Sequence, residues 1–397
     1  MSRLTALIVA ALLALTACGG SSSNDGPKSL RMTVWTANEA HLKLLNEIAA
    51  EYRAAHPDVT EIKFDSIPAD GYTTTLTTQI AGGNAPDLAW VLEESAPDFV
   101  SSGALLPIRN KVEKADELVP SATKLWEKDG ELYAYPFSTS PFGLFVNTDM
   151  VKDLPTTWEQ AVAASAGKSL VLPDFKYQNW AVLSAIWRGW DANAWSEDGR
   201  SCGFADREMK DAMTFIHKAI FTEKAIPGPG TTVDFFAGNA AMAVSQISRA
   251  GALKDARFGW TLLPLPKGPK GDYAVIGQAG VGVLKRSKNA EAAADFLGFF
   301  TNSANSAKLA QFFPPVRQSL LNAGTLAKSN PLIKPEQLQS VVIDGISKGV
   351  VKPSHQGQEE LNQTIRAALD PLWKPDANVS EVLDGVCAKI KPLLERS

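Results

Sequence analysis

The sequence predicts an α/β fold built around a mainly parallel sheet. Short runs of β-branched and aromatic residues alternate with longer runs in which apolar residues recur every three or four positions, which is typical of strand–helix–strand units. The apolar content of 45% and the charged content of 21% are ordinary for a globular protein. The 397 residues are enough for two or three domains of roughly 100–200 residues each.

The N-terminal residues predict export and a lipid anchor. Arg3 precedes a short apolar run, residues 4–15, which ends in the sequence LTAC. Such a run is typical of a signal peptide and is shorter than the roughly 20 apolar residues of a membrane-spanning helix. LTAC resembles the bacterial lipobox, in which the cysteine, here Cys18, is lipidated; the alternative is an ordinary export signal that contains a cysteine. We therefore expect a signal peptide at 1–18, a flexible tether at 19–27 and a protein held on the outer side of the cell membrane.

The first part of the mature chain contains the clearest alternation. Apolar residues at helical spacing fill two segments, and each lies between strand-like runs. In open α/β sheets ligands bind beyond the carboxyl ends of the strands, so the loops after Trp35 and Leu92 are the expected places for function. The predicted elements are strands at 30–35, 59–64 and 87–92 and helices at 39–57 and 72–83.

The rest of the chain differs in composition. Residues 155–226 are rich in helix-forming residues and in tryptophan, and strand-like runs follow them. The predicted strands are 241–246, 257–266 and 273–284, and the predicted helices are 289–303, 357–373 and 380–395. The tryptophans of the helix-rich segment are Trp158, Trp180, Trp187, Trp190 and Trp195.

Charge and motifs exclude several classes of function. The net charge of −4 and the absence of a run of lysines and arginines argue against nucleic acid as a partner. The sequence has no phosphate loop, HExxH or CxxC motif, so no cofactor and no metal are expected. Residues 345–349 fit the GxSxG pattern of hydrolases, but Pro353 blocks the helix that should follow, and no acid lies between Ser347 and His355, the only downstream histidine.

Two cysteines remain if Cys18 carries the lipid. Cys202 and Cys387 are expected to form a disulfide, because exported proteins meet an oxidising environment. The alternative is a pair of buried free thiols.

Several segments, in chain order, resemble one family. They include RMTVW, IAGGNAPDLAWV, SSGALLPI, ELYAYPFSTSPFGLFVN, LPTTWEQAV, FAGNAAMAV, LPLPKG, IGQAGVGVLKRSKNAEAAADFLGFF and FPPVR. Together they cover nearly the whole mature chain and are similar to the extracellular solute-binding proteins of carbohydrate importers, the group that includes maltose-binding protein. AGGNAPD, TTWEQ and GNAAM in that order make the resemblance specific.

The resemblance implies a two-lobe fold of the periplasmic-binding-protein type, with hinge strands and a ligand cleft between the lobes. Residues 28–138 plus 280–317 would form lobe one, and residues 139–279 plus 318–397 would form lobe two. The lobes would close on the ligand by a hinge motion. The protein would be a monomer that delivers its ligand to the permease subunits of an ABC transporter.

A sugar site is expected to combine carboxylates, amides and arginine with aromatic rings, because sugars present hydroxyl groups and apolar faces. The resemblance matches Glu39 and Glu94 to acids that bind sugar hydroxyls, although Glu39 also suits the first turn of a helix. Trp90 lies one residue before the stacking position of the relatives and suits a core equally well. The predicted ligand-binding set is Asn38, Glu39, His41, Tyr72, Trp90, Glu93, Glu94, Ser140, Trp187, Trp190, Asp191, Ser248, Arg249, Gln278, Arg317 and His355.

Departures from the family pattern limit the expected ligand. Ser140 and Ser248 stand where maltose binders carry an acid and a tryptophan, so a long maltodextrin is not expected. A mono- or short oligosaccharide or a derivative fits better, with a polyol or a glycerophosphodiester as alternatives. The rival function from another class is a surface-anchored enzyme that processes glycans with Glu39 and Glu94.

Overall fold

The computed structural model describes residues 26–69, 71–173, 175–177 and 179–396. The predicted signal peptide, Cys18 and nearly all of the tether lie outside these residues. Within the described residues the strands are β1 Lys28–Val34, β2 Val59–Ser66, β3 Leu88–Leu92, β4 Glu127–Lys128, β5 Glu131–Leu132, β6 Tyr135–Asn147, β7 Leu170–Val171, β8 Met242–Gln246, β9 Trp260–Leu263, β10 Val275–Val283 and β11 Val350–Val351.

Helices cover the sheet and build the periphery. The α-helices are α1 Glu39–Ala55, α2 Tyr72–Ala81, α3 Ala96–Ser101, α4 Pro120–Thr123, α5 Trp158–Ser165, α6 Ser184–Trp187, α7 Arg207–Phe221, α8 Ala290–Phe300, α9 Ser303–Leu309, α10 Ala323–Ser329, α11 Pro335–Gln337, α12 Asp344–Lys348, α13 Gln358–Leu369 and α14 Val379–Leu394. Short 3-10 turns continue several of them, and a π-helical segment at Leu338–Ile343 joins α11 to α12.

One mixed sheet runs through the molecule. Its strand order is β2-β1-β3-β10-β6-β8-β7, with β9 paired to β6 and β11 paired to β10. Strands β1, β2 and β3 are parallel, as the sequence predicts for the first part, whereas β10 pairs antiparallel with both β3 and β6. The short pairs β7–β8 and β10–β11 are parallel as well. The sheet as a whole is mixed, because β6 and β10 pass through its centre in opposite directions.

The long crossing strands link two hydrophobic cores. One core centres on β1, β3 and β10, with α1 and α8 packed over them. The other contains the helix-rich segment around α6 and α7, together with the C-terminal helices α13 and α14. These two clusters do not divide the chain at the predicted lobe boundaries. The boundaries therefore stay a prediction.

Local sequence explains where the helices next to the cleft begin and end. The side chain of Asn38 caps α1 by accepting hydrogen bonds from the backbone of Ala40 and His41, and α1 stops two residues before Pro57. Helix α2 forms despite its threonines, because Tyr72 and Leu76 are buried while most of the hydroxyls face solvent or bond within the helix.

The C-terminal segments are shorter than predicted. The strand expected at 257–266 is limited to β9, since Pro264 and Pro266 lack the N–H groups that a ladder needs. The helix expected at 357–373 ends at Leu369 and continues as a 3-10 turn containing Pro371. Cys202 and Cys387 form a disulfide, as the sequence predicts, and it ties α14 to the loop that follows Trp195. Within the described ranges, we find no helix with the length and apolar character of a membrane span.

Candidate functional site

The strand register brings two sets of strand ends to one place. Strand β3 ends beside Ala279 of β10, and β10 pairs there with Ser138 of β6. Strand β8, which runs antiparallel to β6, ends at Gln246 opposite Phe142. The carboxyl ends of β1 and β3 therefore approach the centre of the crossing strands from one side, and that of β8 approaches from the other. This is the switch-point geometry at which α/β sheets bind ligands.

Two carboxylates stand at the ends of β1 and β3. Glu39 is exposed in the first turn of α1, and Glu94 is half-buried just after β3. Neither side chain makes a hydrogen bond or an ion pair with another described residue. Both oxygens of each group are thus available to accept hydrogen bonds from hydroxyl groups.

An aromatic ring that the sequence analysis did not select follows β1 directly. Trp35, the residue after β1, is half-buried and packs edge-on against Trp90, with ring centroids 4.6 Å apart. Tyr72 and Phe137 complete its support, at 5.4 and 6.2 Å. Trp35 ends the RMTVW segment. Its position at the carboxyl end of a predicted strand is the feature of the sequence that could have identified it as a candidate ligand residue.

Glu93 has a different role from Glu94. It is buried, its Oε1 lies 2.7 Å from Lys352 Nζ, and its Oε2 accepts a hydrogen bond from the backbone N–H of Gln278. Burial raises the pKa of Glu93, while the Lys352 ammonium and the Gln278 N–H act in the opposite direction. The Gln278 amide is itself buried and donates to the carbonyl of Ala122. Glu93 and Gln278 were predicted to bind ligand, but the structure uses both to join β3, β10 and the segment after β11.

The opposite side of the site is formed after β8. The hydroxyl of buried Ser140 accepts a hydrogen bond from the backbone N–H of Ser248, at 3.2 Å. Ser248 and Arg249 are exposed, and the guanidinium carbon of Arg249 lies 4.9 Å from the centroid of Phe236. This side therefore presents a hydroxyl and a cation held over an aromatic ring.

The crossing strand β10 packs closely against the end of β8. A Cβ atom on Gly277 would lie 1.6 Å from Nε2 of Gln246, so only glycine lets that amide rest against β10. Gly277 pairs with Ser140. Gln246 is half-buried at the end of β8 and can present its amide to a ligand.

Several predicted ligand residues belong to the protein interior instead. Tyr72 is buried, its hydroxyl lies 2.9 Å from the carbonyl of Trp90, and burial raises its pKa. Trp90 is 0% exposed and stacks on Phe137, so no face is left for a sugar. Arg317 is also 0% exposed and donates to the carbonyls of Glu113 and Thr301.

Two tryptophans of the helix-rich segment, Trp187 and Trp190, are core as well. Trp187 is 0% exposed and packs on Trp180 and Phe204. Trp190 is 8% exposed and packs on Phe215. Both residues were predicted to bind ligand, but their rings fill the space between helices, whereas Trp195 is half-buried.

The remaining predicted residues lie at turns and loop contacts. His41 is half-buried against Phe312 and Phe313, bonds Thr36 Oγ1 at 3.0 Å, and has a pKa lowered by burial. Buried His355 places its two ring nitrogens 2.9 Å from the carbonyl of Gly199 and 2.8 Å from that of Gln356. Asp191 is exposed and closes the turn after Trp190 in the left-handed conformation. Among the described residues, no group of three or more histidine, cysteine or acidic side chains is placed to hold a metal ion.

Comparison with known proteins agrees with this architecture. The profile of a family described as bacterial extracellular solute-binding protein matches residues 47–335. The maltodextrin-binding protein MdxE of Bacillus subtilis is 24% identical over 76% of this chain and 77% of its own length. A maltooligosaccharide ABC transporter solute-binding lipoprotein of Streptococcus pneumoniae is 23% identical over 85% of this chain and 83% of its own.

Solved structures share the fold at low identity. The cyclic α-maltosyl-1,6-maltose binding protein of Arthrobacter globiformis superposes with a TM-score of 0.80 at 17% identity, covering 94% of this chain and 100% of that one. UgpB of Mycobacterium tuberculosis in complex with glycerophosphocholine superposes with a TM-score of 0.77 at 18% identity, covering 94% and 99%. These likenesses establish the two-lobe fold.

Proposed function

Because the chain belongs to the bacterial extracellular solute-binding proteins, we propose that it is the solute-binding lipoprotein of an ABC importer and that its ligand is a carbohydrate. The relatives named for maltodextrin and maltooligosaccharide support this ligand class. The proposal includes a lipid anchor on Cys18, delivery of the ligand to membrane permease subunits, and a monomeric protein outside the cytoplasm.

One observation carries the ligand class. The switch point between the two sets of strand ends combines the unpaired carboxylates of Glu39 and Glu94 with the partly exposed ring of Trp35. Carboxylates accept hydrogen bonds from vicinal hydroxyls, and an aromatic face covers the apolar C–H surface of a sugar ring. Ser248 and Arg249 would complete the contacts from the β8 side.

A short ligand fits this site better than a long one. Trp187 and Trp190 are buried, so the described residues at the switch point offer Trp35 and Phe236 as their aromatic surfaces. Each sugar ring of an oligosaccharide needs its own apolar support. We therefore expect a mono- or disaccharide or a derivative of that size.

Arg249 favours a second ligand of the same size. Its exposed guanidinium over Phe236 suits a phosphodiester, and the two carboxylates suit a quaternary ammonium group. A glycerophosphodiester is thus the alternative. Polyols would use the carboxylates alone.

The test is calorimetric titration of the mature protein with a panel of sugars, polyols and glycerophosphocholine. Glu94→Gln should weaken the best ligand by about 1.5–3 kcal/mol, the range for hydrogen bonds to charged groups. Glu223→Gln is the matched control, since Glu223 is exposed beyond α7 and away from the strand ends. Equal affinity of Glu94→Gln and the control would remove Glu94 from the site. Failure of every sugar would reject the carbohydrate assignment.

Binding without turnover is part of the proposal. The two acids at the switch point could also serve a glycan-processing enzyme, which requires a proton donor beside a nucleophile or base. We expect the recovered ligand to be chemically unchanged after prolonged incubation with the protein. Hydrolysed product, checked by chromatography and lost in Glu94→Gln, would establish the enzyme instead.

A further inference from the structure

The structure also contains a cavity that the proposed solute-binding residues do not line. It is a groove of about 990 Å³ between the α3 and 121–128 region on one side and the 188–206 region on the other, closed by residues 348–354. None of Trp35, Glu39, Glu94, Ser248 or Arg249 lines it. We call it the α3 groove.

Arg188 in the wall of the α3 groove is a half-buried cation. Its Nη1 donates to the neutral amide of Asn193, and its Nε is enclosed with no hydrogen-bond partner among the described residues. No described carboxylate forms an ion pair with its guanidinium within 4.0 Å. Burial lowers the pKa of Arg188, and the more distant Asp191 acts in the opposite direction. A half-buried guanidinium loses part of its hydration, and an anionic partner offsets that cost.

The free end of Arg188 is reachable. Its Nη2 makes no hydrogen bond with a described residue. Unlike Nε, Nη2 is not fully enclosed by protein atoms. Since Arg188 lines the α3 groove, Nη2 can meet a group that enters from there. Half-buried Trp195 lies in the same wall and supplies an apolar surface.

The lining of the α3 groove carries an excess of positive charge, which favours an anion. Its cationic lining residues are Lys124, Lys128, Arg188, Lys348 and Lys352, and its acidic ones are Glu127, Glu197 and Asp206. Glu127 and Glu197 are already paired, with Arg109 and Lys124. Lys352 is likewise paired, with Glu93. With the pairs set aside, three cations (Lys128, Arg188 and Lys348) and one acid (Asp206) remain, a positive excess of two, although the chain carries a net charge of −4.

We propose that the α3 groove is an oxyanion-binding site in which Arg188 holds a phosphate or phosphate-like group, supported by Lys128 and Lys348. A guanidinium and two ammonium groups match the negative charge and the acceptor oxygens of phosphate. The phosphate could be a free ion or the headgroup of an anionic lipid, since both present the same oxygens.

Equilibrium dialysis of the mature protein against labelled inorganic phosphate tests the site. The ionic strength is held constant with chloride, so that general screening does not change. Wild-type protein should bind phosphate saturably, and Arg188→Gln should bind it at least about tenfold more weakly. Arg257→Gln is the matched control and should bind like wild type, because it replaces an exposed arginine between β8 and β9. Equal phosphate binding by Arg188→Gln and wild type, or no binding by either, would overturn the proposal.

Chemical protection tests the same site in the unaltered protein, so a folding defect in the variant cannot hide the answer. Phenylglyoxal modification of Arg188, followed by mass spectrometry, should slow about tenfold or more in saturating phosphate and stay unchanged in chloride. Modification of Arg257 should proceed at the same rate in both. Equal rates at Arg188 with and without phosphate would contradict the site.

Vesicles separate the two sources of phosphate. If the ligand is a headgroup, phosphatidylglycerol vesicles should retain wild-type protein more strongly than Arg188→Gln, and phosphatidylcholine vesicles should not distinguish the two. If retention is independent of Arg188 while free phosphate still binds, the ligand is the free ion. Glu94→Gln should keep its phosphate binding, so failure of the solute site and failure of this one are told apart.

Discussion

Two tryptophan-containing regions of this protein differ in how deeply their rings are buried. The segment from Trp180 to Trp195 is so rich in tryptophan that it suggests a ligand-stacking surface, yet Trp187 is fully buried and packs on its neighbours. Trp35 stands alone after β1, and its ring is only half-buried. The contrast shows that the local density of rings does not predict which ring is exposed.

The largest expected difference between these regions concerns stability. Trp187→Ala should lower the free energy of unfolding by about 3–5 kcal/mol, because it opens a cavity in a packed core. Trp35→Ala should cost clearly less, since part of its ring already faces solvent. Urea unfolding followed by circular dichroism measures both. A Trp35→Ala loss as large as that of Trp187→Ala would make Trp35 a core residue and break the comparison.

The disulfide secures the buried region and should matter next. The double variant Cys202→Ser, Cys387→Ser removes a link between residues 185 positions apart and should cost about 2–5 kcal/mol of unfolding free energy. Solute affinity should be unchanged, because neither cysteine lies near the switch point. Calorimetry on the folded variant checks this second point, and a weakened affinity would couple the buried region to the site.

The exposed region should dominate ligand affinity. Trp35→Ala should weaken the best ligand roughly tenfold, about 1.4 kcal/mol, through loss of stacked ring surface. Trp35→Phe should recover most of that affinity because it keeps an aromatic face. Titration calorimetry of both variants beside wild type makes the measurement. Identical affinities for alanine and tryptophan at this position would move the stacking surface elsewhere, with Phe236 the next residue to replace.

The smallest effect is a pH dependence near the same site. Burial lowers the pKa of His41 below its usual 6.5, so the folded protein resists protonation more than the unfolded chain does. The stability that neutral His41 allows is complete above pH 6.5 and is lost as the pH falls from there through the lowered folded-state pKa. Unfolding of wild type and His41→Gln from pH 7.5 to 5 should therefore show a steeper decline in wild type. Parallel curves would contradict the assignment.

The two acids of the candidate site could be predicted from the sequence, because their positions depend on local strand patterns. Glu39 and Glu94 follow recognisable strands, and a parallel sheet places such residues at one edge. Glu93 could not be separated from Glu94 in this way. Only the approach of Lys352, more than 250 residues later in the chain, shows that one carboxylate is paired in the interior while its neighbour remains available.

The sequence by itself determined the strand–helix alternation of the first part and the resemblance to the family, and it favoured the pairing of the two cysteines. Each depends on local spacing, on a count of thiols or on motifs in chain order. Only the tertiary structure decided which aromatic and charged side chains are buried. Trp90, Trp187 and Arg317 resemble binding residues in composition, and their burial follows from contacts with segments distant in the chain. Solvent exposure is a property of packing between such segments, so no local pattern fixes it.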